Sequence, residues 1–513
     1  MGPITGYVPV AQATGGPRPS GVGQAGESPF VTRDRSSGAE GHVTDLHLPL
    51  DRTAGRLAAQ IAAGFRAGVR SGRLTAGTRL PSSRDLARDL DVSRGVVVAA
   101  YEQLTAEGFL VARRGDGTRV ASLARPDEGP PPHGAPSPVP RPAPEPALPY
   151  DLWPGRPDLS AFPRERWLAA ARAALRALPH EELTYPDPAG VPALRAELAG
   201  YLARVRAART DPARVVIMNG VAQGLSALLR LLRAEGHAVL AVEDPTHDRQ
   251  LPMLEDSGLR LARVPVDGEG VDVGALARTG ARAVLVTPAH QFPTGVVLCP
   301  ARRAELIAWA RDVDGLILED DYDAEFRYDR EPVGCLQGVE PDRVVLLGSV
   351  SKSLAPALRL GWAVAPPAMA GRLREHRENT DLGAPVLDQY ALAELVGGGG
   401  YDRHLRAMRR RYRSRRDALA EALCHHLPGA VVRGVSAGIH LYVELPDGCD
   451  EAEVVARAAR AGVSVAAAHP MWSPARAGDA RPALVLGYAR LPEPRLVEAA
   501  RLLGQAVTHG AGG

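Results

Sequence analysis

Ten prolines fall between residues 130 and 149: three in a row at 130–132, one at every second position from Pro136 to Pro146, and then Pro149. Proline has no backbone N–H and a fixed φ, so such a stretch cannot join a helix interior or a sheet ladder. It predicts a semi-rigid, extended spacer over residues 123–149, tens of ångströms long at roughly 3 Å per residue. No single core can be built across it. The 513 residues must therefore fold as separate parts on its two sides.

Ahead of the spacer, residues 1–42 are rich in Gly, Pro, Ser and Thr and show no apolar periodicity, which predicts a disordered tail. Residues 43–122 read as one compact unit. Leu57, Ile61 and Phe65 share a helix face that runs to about Arg70 and is closed by Ser71-Gly72. A second helix is expected over residues 80–90, with Pro81 and the serines as start signals. A third runs from Arg94 to about Glu107, with Ser93 as N-cap and Gly108 as stop. Residues 109–112 and 119–122 read as short strands on either side of Arg113-Arg114-Gly115-Asp116-Gly117-Thr118. Three helices followed by a hairpin is the order of a winged helix-turn-helix, a mainly α unit. Residues 43–125 carry 13 arginines against 8 acids, a net +5, whereas the whole chain carries +2. Many solvated faces hold such an excess. Here it coincides with the two-helix spacing and an arginine-bearing wing, and points to DNA.

The four cysteines, Cys299, Cys335, Cys424 and Cys449, are scattered without a CxxC pair, against a metal site or a disulfide framework. The N-terminus has no basic start followed by an apolar stretch, and no run of about 18 apolar residues occurs. A cytoplasmic protein with no metal and no membrane partner is expected.

Beyond the spacer, residues 150–513 alternate helical patterns with short apolar runs at 215–218, 238–242, 283–286, 316–318 and 344–347. That alternation predicts an α/β domain whose sheet is mostly parallel and covered on both faces. Ligands of such sheets sit at the carboxyl ends of the strands. The residues with chemistry fall there. Lys352, in Ser351-Lys352-Ser353-Leu354-Ala355-Pro356, is the only lysine of the chain; the other 60 of its 61 basic residues are arginine. A lysine can lose its proton and form an imine with an aldehyde, and a guanidinium cannot. Lys352 is thus a candidate Schiff-base lysine, for which pyridoxal phosphate is the usual aldehyde. Ser349, Ser351 and Arg359 are donors suited to its phosphate. Asn219-Gly220-Val221-Ala222-Gln223-Gly224 follows a strand and opens a helix whose amides suit the same group. Glu319-Asp320-Asp321-Tyr322 ends another strand. A carboxylate there would keep a pyridine nitrogen protonated, and a phenol would hold the ring's 3′ oxygen.

Gly72-Arg73-Leu74, Gly77-Thr78-Arg79-Leu80-Pro81-Ser82-Ser83-Arg84, Val92-Ser93-Arg94 and Ala100-Tyr101-Glu102-Gln103-Leu104 resemble the DNA-reading domain of the bacterial GntR regulators. The resemblance implies that Arg84, Ser93 and Arg94 meet DNA, with Arg94 reading a guanine edge. It places Arg114 and Gly115 at the wing tip in the minor groove. The apolar run 96–100 must be partly core, with one valine, taken as Val96, against a thymine methyl. Behind the spacer, Tyr185-Pro186-Asp187-Pro188-Ala189-Gly190, Glu243-Asp244-Pro245-Thr246, His290-Gln291-Phe292-Pro293-Thr294-Gly295, Glu319 through Tyr328 and the Lys352 motif resemble the fold type I aminotransferases. Joined to the front unit, the chain after residue 43 is similar to the MocR-type subfamily of GntR regulators. That resemblance implies a transferase-fold domain with a small C-terminal α+β subdomain, and Lys352 as the imine-forming residue on pyridoxal phosphate. It implies Tyr322 on the 3′ oxygen and Val221, Ala222, Ser349, Ser351 and Arg359 on the phosphate. His247 and His290 fall at the cofactor, and Arg249 matches a substrate-carboxylate arginine. The resemblance also implies Asp320 on the pyridine nitrogen; Asp321 is the other candidate, and spacing to Tyr322 favours Asp320.

Three positions depart from the aminotransferase pattern. His247 stands where a tyrosine commonly stacks on the ring, Phe292 where an asparagine usually flanks the 3′ oxygen, and Val485 where an arginine holds the substrate α-carboxylate. His440 either lines the pocket or is a satisfied core histidine. The expected function is a pyridoxal-phosphate-dependent transcriptional regulator. It would sense a small amine, an amino acid or the cofactor itself, and bind operator DNA as a head-to-tail homodimer. The alternative is a working aminotransferase with an accessory DNA-binding domain.

Overall fold

The computed structural model describes residues 4–11, 43–113, 117–122, 148–328, 333–478 and 480–508; of the expected spacer all but its last two residues lie outside them. The chain divides into two compact units, residues 1–143 and 144–513, each considered by itself.

The first unit is built from β1 (Ile4–Ala11), β2 (Val43–Leu50), α1 (Leu57–Arg70), α2 (Ser83–Asp89), α3 (Arg94–Ala106) and the antiparallel hairpin of β3 (Leu110–Arg113) and β4 (Gly117–Val120). The expected disordered tail thus holds one strand, paired antiparallel with β2. Ile4, Thr5, Tyr7, Val8 and Val10 are strand formers. β2 also went unforeseen, although Leu46, Leu48 and Leu50 recur at every second position as a one-sided strand must. Leu48 and Leu50 are buried in the unit's core. Gly64 of α1 makes room for this, since a Cβ there would lie 2.2 Å from Leu48 Cδ2. Ile61, Phe65, Leu86, Val97 and Leu104, one face from each helix, complete the core. α2 starts at Ser83 rather than residue 80 because the Ser82 hydroxyl accepts from the Asp85 N–H at 3.2 Å and so caps the first turn. The hairpin strands are offset by one or two residues from their expected positions.

The second unit centres on an eight-stranded sheet of β5 (Val215–Met218), β6 (Val239–Asp244), β7 (Arg260–Asp267), β8 (Gly270–Val271), β9 (Ala283–Val286), β10 (Leu316–Asp320), β11 (Val344–Ser349) and β12 (Gly361–Val364), in the order β5-β12-β11-β10-β9-β6-β7-β8. Pairings from β11 through β7 are parallel, and β12 runs antiparallel to both its neighbours. β5 is therefore parallel to β11, so the loops after β5, β6, β10 and β11 all leave one edge. Successive strand residues face opposite layers. Leu240 and Val242 pack with α6 (Val221–Ala234) and α8 (Pro367–Thr380), while Val239 and Ala241 pack with α7 (Pro300–Asp312). α4 (Arg164–Ala177), α5 (Pro192–Arg206), α9 (Val386–Gly397) and the 27-residue α10 (Gly400–His426) build the remaining core. The chain then forms the small α+β subdomain. Its antiparallel sheet of β13 (Val431–Arg433), β14 (His440–Glu444), β15 (Ala466–Ala467) and β16 (Ala483–Gly487) packs with α11 (Glu451–Arg460) and α12 (Glu493–Thr508). No helix among the described residues is long and apolar enough to cross a membrane.

Candidate functional site

On the first unit, Arg84, Ser93 and Arg94 stand exposed at the start of α2 and α3. Arg94 Nε donates to Ser83 Oγ at 3.3 Å, tying the two helix starts together. Ser93 occupies the N-cap position, yet its hydroxyl makes no capping bond and remains free for another partner. The apolar run divides as its composition requires: Val97 and Ala100 are buried, while Val96 is half-buried against the core edge. Arg114 and Gly115 lie outside the described residues.

The second unit brings its chemistry together at the carboxyl edge of the sheet. Glu319, Asp320 and Asp321, consecutive in sequence, meet three different fates. Glu319 turns inward, accepting from the N–H groups of Leu336 and Gln337 at 3.0 and 3.1 Å, and burial lifts its carboxyl to about 7. Asp321 turns to α5, where Arg206 Nε and Nη2 bind its two oxygens at 2.7 and 2.8 Å. Asp320 alone faces the mouth of the sheet. It is buried, its Oδ1 has no partner, and desolvation raises it to about 6. Of these two aspartates, Asp321 has both oxygens engaged by Arg206, while Asp320 keeps one without a partner.

Lys352, in the loop after β11, donates from Nζ to the Gly155 carbonyl at 2.7 Å. Burial holds its amine below the ordinary range, against the opposing pull of Asp323 and then Asp320. Desolvation thus favours the neutral amine that imine chemistry needs. Tyr322 donates its phenol to the His290 carbonyl at 3.0 Å, with His290 Nδ1 at 3.1 Å. Burial carries the phenol well above its usual range, so it stays protonated.

Across the same edge, α6 begins at Val221 directly after Gly220, with the first-turn amides of Val221 and Ala222 at its open end. Gly220 has φ 85°, and a Cβ there would lie 2.5 Å from Arg359 Nη2, which donates to the Asn219 carbonyl at 2.6 Å. A helix start with an arginine drawn over it suits a phosphate. Ser349 is buried, and its Oγ accepts from the Ser351 N–H at 3.3 Å. Ser353 turns away to Tyr401.

The remaining wall is aromatic and apolar. His247 stacks on Phe292 at 4.6 Å and 22°. Arg249 lies over Trp153 at 5.1 Å. Val485 is fully buried in β16, grouped with Phe292, Tyr442 and Met471, with Trp153 and Tyr322 packed against them. Arg490 pairs with Asp151, and Arg481 sits exposed near Glu444, so neither stands on this wall in the place of the missing arginine. His440 is both a core histidine and a wall residue: Nε2 bonds the Pro293 carbonyl at 3.0 Å, while Nδ1 is buried without a partner beside the His290 ring. Sequence reading assigned no role to Trp153, which carries no motif, or to Asp323, which lies inside the Glu319–Tyr328 motif.

The first unit matches the bacterial regulatory proteins of the gntR family over residues 57–120. The second matches aminotransferase class I and II over residues 157–470. Both belong to one known arrangement, since the chain is 34% identical to the HTH-type pyridoxine biosynthesis transcriptional regulator PdxR of Corynebacterium glutamicum, over 86% of this chain and 93% of the relative. The chain belongs to the MocR-type GntR regulators. It is also 34% identical to the probable rhizopine catabolism regulatory protein MocR of Rhizobium meliloti, over 85% of this chain and 90% of that one. Among solved structures, the second unit is similar to the kynurenine aminotransferase of Pyrococcus horikoshii, with TM-score 0.65 and 26% identity over 72% of this chain and 92% of that one. This MocR-type regulator is a DNA-binding, pyridoxal-phosphate-dependent protein. Its residues fit the cofactor: a partnerless buried carboxylate oxygen for the ring nitrogen, a desolvated amine for the aldehyde, and a helix start under an arginine for the phosphate.

Proposed function

We propose that residues 43–122 read an operator and that residues 150–513 sense a small amine, an amino acid or pyridoxal phosphate itself at the Lys352 site. The observation that carries this reading is the desolvated Lys352 amine at the same sheet edge as Asp320, whose buried oxygen has no partner. Asp320 would hold the ring nitrogen, Tyr322 the 3′ oxygen, and Val221, Ala222, Ser349, Ser351 and Arg359 the phosphate, with His247 and His290 flanking the ring. Bound there, pyridoxal phosphate supplies an aldehyde that captures amines and a ring that withdraws electrons from the carbon it bonds. The chain's own residues bind, orient and desolvate it. Arg249 would meet an effector carboxylate. Arg84, Ser93, Arg94, Val96, Arg114 and Gly115 would meet DNA.

A signal requires two states with different affinity for the ligand. We propose a head-to-tail homodimer as the body that switches, working across the spacer at residues 123–149. Leu168 and Leu175 of α4, Leu183, Tyr185 and Leu387 of α9 are about half or more exposed, an apolar surface that a second copy would cover.

The test is the visible spectrum of the purified protein beside Lys352→Ala. A band near roughly 420 nm that is lost in the variant is expected, together with a change in operator affinity when amines shift that band. Rapid steady-state transamination with no operator binding would refute the regulator reading in favour of a working aminotransferase.

A further inference from the structure

Tyr322 is held from behind by a pair of buried residues. His290 and Asp323 are 3% and 1% exposed, and His290 Nδ1 lies 3.0 Å from Asp323 Oδ2. A carboxylate only accepts, so Nδ1 carries the proton and donates to Asp323, while the Tyr322 hydroxyl gives its own proton to the His290 carbonyl. The chain Asp323, His290, Tyr322 is thereby fixed in one direction. Gly438 locks it from the far side: a Cβ there would lie 2.4 Å from His290 Nδ1 and 2.5 Å from Asp323 Oδ2.

The donor atoms of His290, Asp323 and His440 lie within 4.8 Å of one another, a spacing that a cation could bridge. Two of the three are already bonded to each other with backbone against both, so the geometry favours a hydrogen-bonded pair. His440 gives its Nε2 proton to Pro293 and stays neutral, since burial drives it down to about 3. Phe292, at the position where an asparagine commonly flanks the ring oxygen, offers no polar atom, and Tyr322 must serve that side of the ring unaided.

Resting on the cofactor assignment above, we propose that Asp323 and His290 are positioning residues: they hold the Tyr322 phenol in place and keep a buried negative charge directly behind it, which together set the pH at which the bound cofactor's visible band titrates. The charged and titratable groups facing this region include Asp320 at the end of β10, Glu243 on β6, Lys352, His247, His440, Glu325, Tyr328 and Tyr488; Asp321 is already paired with Arg206. Asp323 outweighs Asp320 in its pull on the lysine. A nearby negative charge favours the protonated form of a nitrogen. Removing it must move the midpoint down.

The experiment is a pH titration of the visible band in the cofactor-loaded full-length protein. Asp323→Asn, which keeps the shape and removes the charge, is expected to lower the midpoint by roughly one pH unit, the shift that one close charge produces. Asp323→Glu restores the charge and should return most of the shift. A second pair decides the matter if Asp323→Asn does not fold. His290→Gln still donates to Asp323 and should hold the midpoint. His290→Phe strips the buried carboxylate of its donor, so that it takes up a proton and the midpoint falls. A normal band whose midpoint stays within about 0.2 pH unit in Asp323→Asn, or in His290→Phe, overturns the proposal and leaves the cofactor assignment standing. Absence of any band in the parent protein overturns the cofactor assignment itself.

Discussion

Exchanging Asp320 and Asp321 in turn for asparagine separates two neighbouring acids by opposite effects on stability. Asp321 is 8% exposed, and its partner Arg206 is 3% exposed and bound through two nitrogens. Asp321→Asn leaves that guanidinium buried with its charge unmet, a loss of about 3–5 kcal/mol. For a unit of residues 144–513, the melting entropy of a chain that size converts this to a fall of roughly 4–6 °C. Asp320 works the other way. Its carboxyl is raised from 3.8 to about 6 by burial, so the folded state holds a proton that the unfolded chain has released between those values. Stability is therefore lost as pH rises through that window, and the deficit above it is about 3 kcal/mol. Asp320→Asn removes the deficit. The cofactor-free variant should melt a few degrees above its parent at pH 7, with the gap closing toward pH 4. The same variant should still form a visible band on adding pyridoxal phosphate, since Lys352 is unchanged, but should need more cofactor to saturate it, because its amide offers no charge to a protonated ring nitrogen. Thermal melts of both cofactor-free variants at pH 4, 5.5 and 7, each followed by a spectral titration, check all of this. An Asp321→Asn protein that melts with its parent while Asp320→Asn melts several degrees lower would refute the assignment of the two acids.

Gly220→Ala pushes a Cβ to 2.5 Å from Arg359 Nη2 at a backbone φ of 85°; weaker phosphate binding should appear as at least a tenfold rise in the pyridoxal phosphate concentration that half-saturates the band. Leu104→Ala, at a fully buried position of the DNA-reading unit, should destabilise that unit by about 2–5 kcal/mol, read as an earlier melting transition with the visible band unchanged. Arg94→Ala removes an exposed guanidinium at the start of α3. If Arg94 reads a guanine edge, operator affinity drops by about 1–3 kcal/mol with little change in non-specific binding; if it meets only phosphate, both fall and the slope against log salt shallows by about one.

The folded layout was legible where it depends on local pattern. Apolar runs with intervening helical periodicity gave five of the eight strands of the large sheet, missing β7, β8 and β12, and Ser82, Ser93 and Gly108 marked the helix limits of the first unit to within a few residues. What escaped depends on distant partners. Spacing to Tyr322 favoured Asp320 over Asp321 without deciding between them; the bonds from Arg206, 115 positions upstream, to both oxygens of Asp321 were not legible. Asp323 looked like one more acid in an acidic stretch, because its partner His290 lies 33 positions away. His247 was expected to stack on a ring and does stack, on Phe292, whose replacement of a polar residue was legible while its position was not. β2 is a different failure. Its alternation Leu46, Leu48, Leu50 is visible, but an eight-residue strand ahead of three strong helices attracts little attention until Gly64 is seen to make room for Leu48.

The substitution at 485 bears most directly on how a transaminase fold becomes a regulator. A transaminase must orient two successive amino-acid substrates, which calls for a fixed cation at the α-carboxylate. In this protein that position is a strand residue, fully buried and joined to Phe292, Tyr442 and Met471 in an apolar wall against which Trp153 and Tyr322 pack. Placing an arginine there would bury a charge among apolar side chains, which costs several kcal/mol unless paired. Lys352 and Asp320 are independent of that wall: one comes from the loop after β11, the other from the end of β10. On the reading proposed above, the sheet edge would keep the chemistry that captures an amine while the C-terminal subdomain offers no cation at position 485. On that reading, an amine held at Lys352 would be oriented by Arg249 and by the wall it touches. The wall belongs to the subdomain, so the most direct consequence of occupancy is a change in how β16 and its neighbours pack over the site, which is the kind of differential contact a switch requires.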